Sequence, residues 1–121
     1  ILEVLECGRV VQGSTVGPGA SDVHDGYPDI PGNWSGPEVG YAWFSGGQST
    51  VEVGFVAESS TTLDLDIIVL QGAEQSCRSE DAVEVVFNSF EIEVVPGSWY
   101  TFVVDGYDGA EGEFELEIAC P

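Results

Sequence analysis

Lysine is absent from the chain, and only Arg9 and Arg78 stand against 22 acidic residues, a net charge of −20 over 121 residues. A surface this poor in cations cannot neutralise phosphates, so nucleic acid is excluded as a partner. Anionic membrane surfaces are disfavoured for the same reason. Methionine is also absent, position 1 included, and the expectation is a processed product from which a signal peptide has been removed. No stretch approaches the roughly 20 apolar residues that cross a bilayer as a helix, so membrane insertion is not expected. The single histidine, His24, leaves a His-based zinc centre short of ligands. No serine or cysteine has an evident base and orienting partner for nucleophilic catalysis. The three cysteines, Cys7, Cys77 and Cys120, never fall in C-x-x-C spacing, which fits an oxidising compartment better than a metal site.

What is present is a foldable amount of apolar material. Hydrophobic residues make up 43% of the chain, more than a disordered acidic chain carries. The length suits one domain, residues 1–121. Cations are the natural counterpart of the charge. A merely solubilising surface, as in an organism living in salt, explains it equally well, and both readings stay open here.

The patterning is of period two throughout. In the C-terminal stretch Phe114, Leu116 and Ile118 alternate with Glu113, Glu115 and Glu117, the signature of a half-buried strand. Before it, Tyr100, Phe102 and Val104 share one face and Trp99, Thr101 and Val103 the other. Between the two lies an acidic, glycine-rich turn carrying Asp105, Asp108 and Glu111. Further strands are read at 1–7, 10–15, 38–44, 50–57, 63–70, 82–87 and 90–95. The fold class is therefore all-β: a single, jelly-roll-like β-sandwich of eight or nine short, mostly antiparallel strands. Val39, Tyr41 and Trp43 read as core and not as a ligand-stacking platform. The strand at 1–6 either pairs within its own sheet or is exchanged with a neighbouring copy. Cys7 ends the first strand and Cys120 the last, and terminal strands of a sandwich are often neighbours, so Cys7–Cys120 is the preferred disulfide. In the chain-entropy model it contributes roughly 4 to 5 kcal/mol.

Three acidic groups are candidates for a hard cation, because calcium takes about 6 to 8 oxygen ligands in flexible geometry. The first is Asp22, Asp25 and Asp29, in a proline- and glycine-rich loop over 17–37, of a length that is commonly functional. The second is Asp105, Asp108 and Glu111. The third is the pair Asp64 and Asp66, on one side of a strand, which repel unless a cation, a donor or water separates them. The alternative for this pair is a solvated sheet edge. Asn33-Trp34-Ser35 is a sequon, of consequence only where exported proteins are glycosylated.

The order of VDGYDG, an acidic glycine-rich turn, GEFELEI and a cysteine resembles the C-terminal hairpin of the bacterial pre-peptidase C-terminal (PPC) domain family. GSTVGPGASD, GPEVGYAW and LDLDIIVL fit the same family in the same order, so the likeness spans about Cys7 to Cys120. It implies a small secreted β-sandwich, often calcium-binding, that accompanies a secreted enzyme or surface protein without being catalytic. It also implies that the acidic loop cooperates with the residue opening the next strand, here Glu38. Relatives often carry a cysteine pair where this chain has Cys77 alone, which leaves Cys77 free or bonded to another molecule.

Counting carboxylates does not by itself separate this chain from a two-carboxylate glycosidase. The resemblance and the small size argue against catalysis. The expectation is a non-catalytic, calcium-binding extracellular or cell-surface protein that assembles with copies of itself into a filament or layer. That reading draws on the strand at the first residue, the odd cysteine and strands apolar on both faces, whose outer side a second copy would cover. The alternative is an accessory module of a secreted hydrolase that binds a polymer or protein, with Tyr27, Trp34 and Tyr107 as contact residues.

Overall fold

The computed structural model describes residues 3–15, 38–55, 65–72, 82–86, 89–106 and 112–120. They form nine strands: β1 (Glu3–Leu5), β2 (Val10–Ser14), β3 (Glu38–Phe44), β4 (Thr50–Phe55), β5 (Leu65–Gly72), β6 (Ala82–Val86), β7 (Ser89–Glu93), β8 (Trp99–Gly106) and β9 (Glu113–Ala119). Two sheets pack face to face. One has the order β1-β3-β8-β5-β6, the other β2-β9-β4-β7. Only β1 with β3 is parallel among these pairs.

Alternation places the core. Val39, Tyr41 and Trp43 of β3, Tyr100, Phe102 and Val104 of β8, and Leu65, Ile67 and Val69 of β5 face Val51, Val53 and Phe55 of β4 and Phe114, Leu116 and Ile118 of β9. Aromatic contacts run both between the layers and within them. The Phe114 ring meets Tyr41 edge-on at 6.3 Å and Phe55 at 6.0 Å, and Trp43 lies 5.9 Å from Phe102. The inward faces expected from the alternation are the ones observed.

Two turns fasten one end of the sandwich. Ser45 Oγ donates to the Val95 carbonyl at 2.7 Å and accepts from the Ser98 amide at 2.9 Å. The Gly97 amide donates to the Gly46 carbonyl, and both glycines sit at positive φ, 73° and 55°, where a side chain would be strained. The Val95 amide donates to Tyr100 Oη at 2.8 Å. The start of β9 is held likewise: the Gly112 amide donates to Thr15 Oγ1 at 2.9 Å.

The Cys7–Cys120 disulfide is present, with its Cα atoms 5.5 Å apart, but the neighbour relation behind it differs from the one expected. β1 and β9 lie in different sheets. It is β2 that pairs with β9, and the chain reaches it through a turn whose Gly8 amide donates to the Ile118 carbonyl at 2.7 Å. Cys7 sits at this passage between sheets. In the single chain β1 pairs with its own β3.

Two other expectations change. Asp66 does not lie at a solvated sheet edge: β5 runs between β8 and β6, and Asp66 is buried. The outer face of the five-stranded sheet needs no second copy to cover it at Ile68, Leu70, Thr101 and Val103, all buried within one chain.

Candidate functional site

β3, β8 and β5 are adjacent, and their registers are continuous. Glu38 opens β3 and stands opposite Asp105 of β8, which stands opposite Asp66 of β5. On each strand the carboxylate belongs to the face turned away from Val39, Val104, Leu65 and Ile67, so all three project from the same side of the sheet. Directly paired residues hold their Cβ atoms about 4.5–5.5 Å apart. The result is a transverse row of carboxylates, Glu38–Asp105–Asp66, of which 3%, 0% and 3% is exposed. Beyond it the same face continues as Gly40, Val103 and Ile68, then Ala42, Thr101 and Leu70.

Buried acidic side chains are rare unless hydrogen-bonded, paired or bound to a cation. Each member of the row is engaged in further polar contacts. Glu38 Oε2 is sealed from solvent and accepts no hydrogen bond, although the residue is held elsewhere. The donor set consists of hard oxygens, the chemistry calcium selects. Among the described residues no group of three or more Asp, Glu, His or Cys side chains is placed to hold a metal ion, so the row by itself is not a metal site and would need ligands from elsewhere in the chain.

The row draws Asp66 and Asp105 from two of the acidic groups found in the sequence, and Glu38 is the strand-opening residue that the family resemblance sets beside the third. Asp105 lies within β8 and not in the turn that follows; Glu38 and Asp66 come from segments far from it in the chain. Asp22, Asp25, Asp29, Asp64, Asp108 and Glu111 lie outside the described residues, as do His24, Asn33, Cys77 and the aromatics Tyr27, Trp34 and Tyr107.

A second acidic feature extends the glutamate face that the alternation of Glu113, Glu115 and Glu117 marks in the sequence. The outward face of the four-stranded sheet carries Glu113, Glu115 and Glu117 on β9, Glu52 on β4, and Glu91 and Glu93 on β7. Glu52 and Glu91 are direct cross-strand partners. At the open side of the sandwich, between β6 and β7, lies a cleft of about 690 Å³. Its lining includes Val69, Ile92, Val94 and Tyr100, with Glu84, Glu91 and Glu93 also bordering it. Alternation marks Glu91 and Glu93 as outward-facing, whereas Glu84 shares its face with Val86 and pairs with Val69; only the strand order brings the three to one place.

No protein-family model matches the sequence, and no curated protein matches it. Solved structures do. The pre-peptidase C-terminal domain of a collagenase from Bacillus anthracis superposes with a TM-score of 0.56 at 11% identity, covering 96% of this chain and 92% of that one. The periplasmic g-type lysozyme inhibitor PliG of Aeromonas hydrophila aligns with a TM-score of 0.49 at 11% identity, over 95% of this chain and 93% of its own. The first likeness shows the fold, a PPC-like β-sandwich.

Proposed function

We propose that the chain is an exported, non-catalytic β-sandwich module that binds calcium at the Glu38–Asp105–Asp66 row. The observation that carries this reading is the row itself: three carboxylates in register on adjacent strands, withdrawn from water. Side by side, like charges oppose folding, and burial strengthens the repulsion. Calcium, when bound, supplies two positive charges against it. Asp64 shortly precedes Asp66 and Asp108 shortly follows Asp105 in sequence, and with Asp22, Asp25, Asp29 and Glu111 they are the proposed source of the remaining ligands. The Cys7–Cys120 disulfide supports an extracellular or periplasmic setting, and the fold shared with a collagenase's pre-peptidase C-terminal domain supports an accessory role.

Thermal unfolding with calcium and then with chelator tests the site. At a hundredfold excess over Kd, calcium should stabilise the fold by about 2.7 kcal/mol. Asp105→Asn should lose that response while remaining folded in chelator. An unchanged melting curve for the unsubstituted chain would dismiss the calcium reading.

A second reading, assembly with further copies into a filament or layer, draws on a different observation. Phe44, 45% exposed, packs on Trp99 at a ring distance of 5.2 Å, and the two form an aromatic contact on the outer face beside the short edge strand β1. Sedimentation in the same two buffers separates the readings: large, calcium-dependent species support assembly, and a monomer in both supports the accessory module.

A further inference from the structure

The cleft between β6 and β7 has a composition of its own. Each of these strands is the last of its sheet, so the cleft opens where both sheets present edges, the places where a further extended segment can align. Val69, Ile92, Val94 and Tyr100 of the core form an apolar floor, and Val83 and Val95, 54% and 53% exposed, stand at the lip. Glu84, Glu91 and Glu93 supply carboxylates at the rim, Glu84 being also engaged within the chain. Concavity, exposed aliphatic surface and one sign of charge thus coincide.

We propose that this cleft is a docking site for an extended segment of a protein partner in which basic and aliphatic residues alternate. An extended strand presents successive side chains to opposite sides, so aliphatic groups can pack on the exposed Val83 and Val95 while lysine or arginine groups meet the rim carboxylates. Five-residue edges such as β6 and β7 match a segment about 17 Å long. Other occupants fit less well. A second copy brings a further −20 of charge. Nucleic acid and anionic lipid are repelled by the rim. A sugar would seek an exposed aromatic face, and the aromatic residue here, Tyr100, is buried. The inference rests on reading the chain as a binding module and is independent of the calcium row.

The test uses the full chain, disulfide intact, and a labelled octapeptide of alternating lysine and valine, read by fluorescence anisotropy. Comparison peptides alternate glutamate with valine and lysine with serine. The lysine–valine peptide should bind, and the other two should bind at least about tenfold more weakly. Substituting Glu84→Gln, Glu91→Gln and Glu93→Gln together should weaken binding about tenfold, as three partly screened ion pairs would. Glu113→Gln, Glu115→Gln and Glu117→Gln on β9 remove the same charge away from the cleft and should change it less than about twofold. Equal losses in the two triple variants, or equal binding of the lysine–serine peptide, would reduce the effect to general charge attraction and overturn the proposal. So would absence of binding by the lysine–valine peptide. Because calcium stabilisation is read separately by melting, failure of the cleft and failure of the calcium site give different results.

Discussion

Among single residues, Gly13 shows how tightly the two layers meet. It lies on β2 beside Phe114 of β9 in register, and the Tyr41 hydroxyl of the opposing sheet closes over it. A Cβ added at this point would come within 2.7 Å of the Phe114 ring and closer still to Tyr41 Oη. Neither ring is a flexible end that can swing aside, since both residues are buried and pack edge-on against each other. Gly13→Ala should therefore cost about 1–3 kcal/mol, as overpacking does, measured as a lower urea midpoint at unchanged slope. Nothing in the sequence marks this glycine apart from those in the turns. It reads there as a gap in the alternation of β2, and only the superposition of a second sheet gives it a task.

At the scale of the strand, the sequence is most legible where burial is one-sided and least where register matters. β9 alternates so strictly that its core face follows from the letters Glu113 to Ile118 alone, and β3 runs over the very residues, Glu38–Phe44, that the pattern delimits. β8 and β5 are apolar on both sides, so alternation names two faces without saying how the outer one is covered. Register is non-local. Glu38, Asp66 and Asp105 lie in three separate segments of the sequence, and it takes strand pairing between distant segments to align them. The same pairing sets Glu52 directly against Glu91, a repulsive cross-strand contact at the surface. Glu52→Lys turns it into an attractive one, with a stabilisation of about 0.5–1 kcal/mol expected. Chemical denaturation at low ionic strength should show the gain, and added salt should shrink it, because exposed pairs are screened.

At the scale of the whole molecule, the all-β sandwich follows from the spacing of short alternating runs. The β6–β7 cleft is not legible in the sequence, because it is bounded by edges of two different sheets and exists only once strand order is known. The disulfide can be paired from the positions of its cysteines, yet its cause lies in the passage from one sheet to the other at residues 7–10. That bond has a mechanical side. Its cysteines are 113 residues apart in sequence and 5.5 Å apart in space. Tension applied to the backbone at Ile1 and Pro121 would run through the sulfurs and bypass β2 to β9, so that in the oxidised protein only β1, which precedes Cys7, bears the load. Reduction would expose the strands to load and release on the order of 400 Å of extended chain. Force spectroscopy with handles at the two ends should record that lengthening only after reductant is added, and a comparable extension before it would show that the load travels another way.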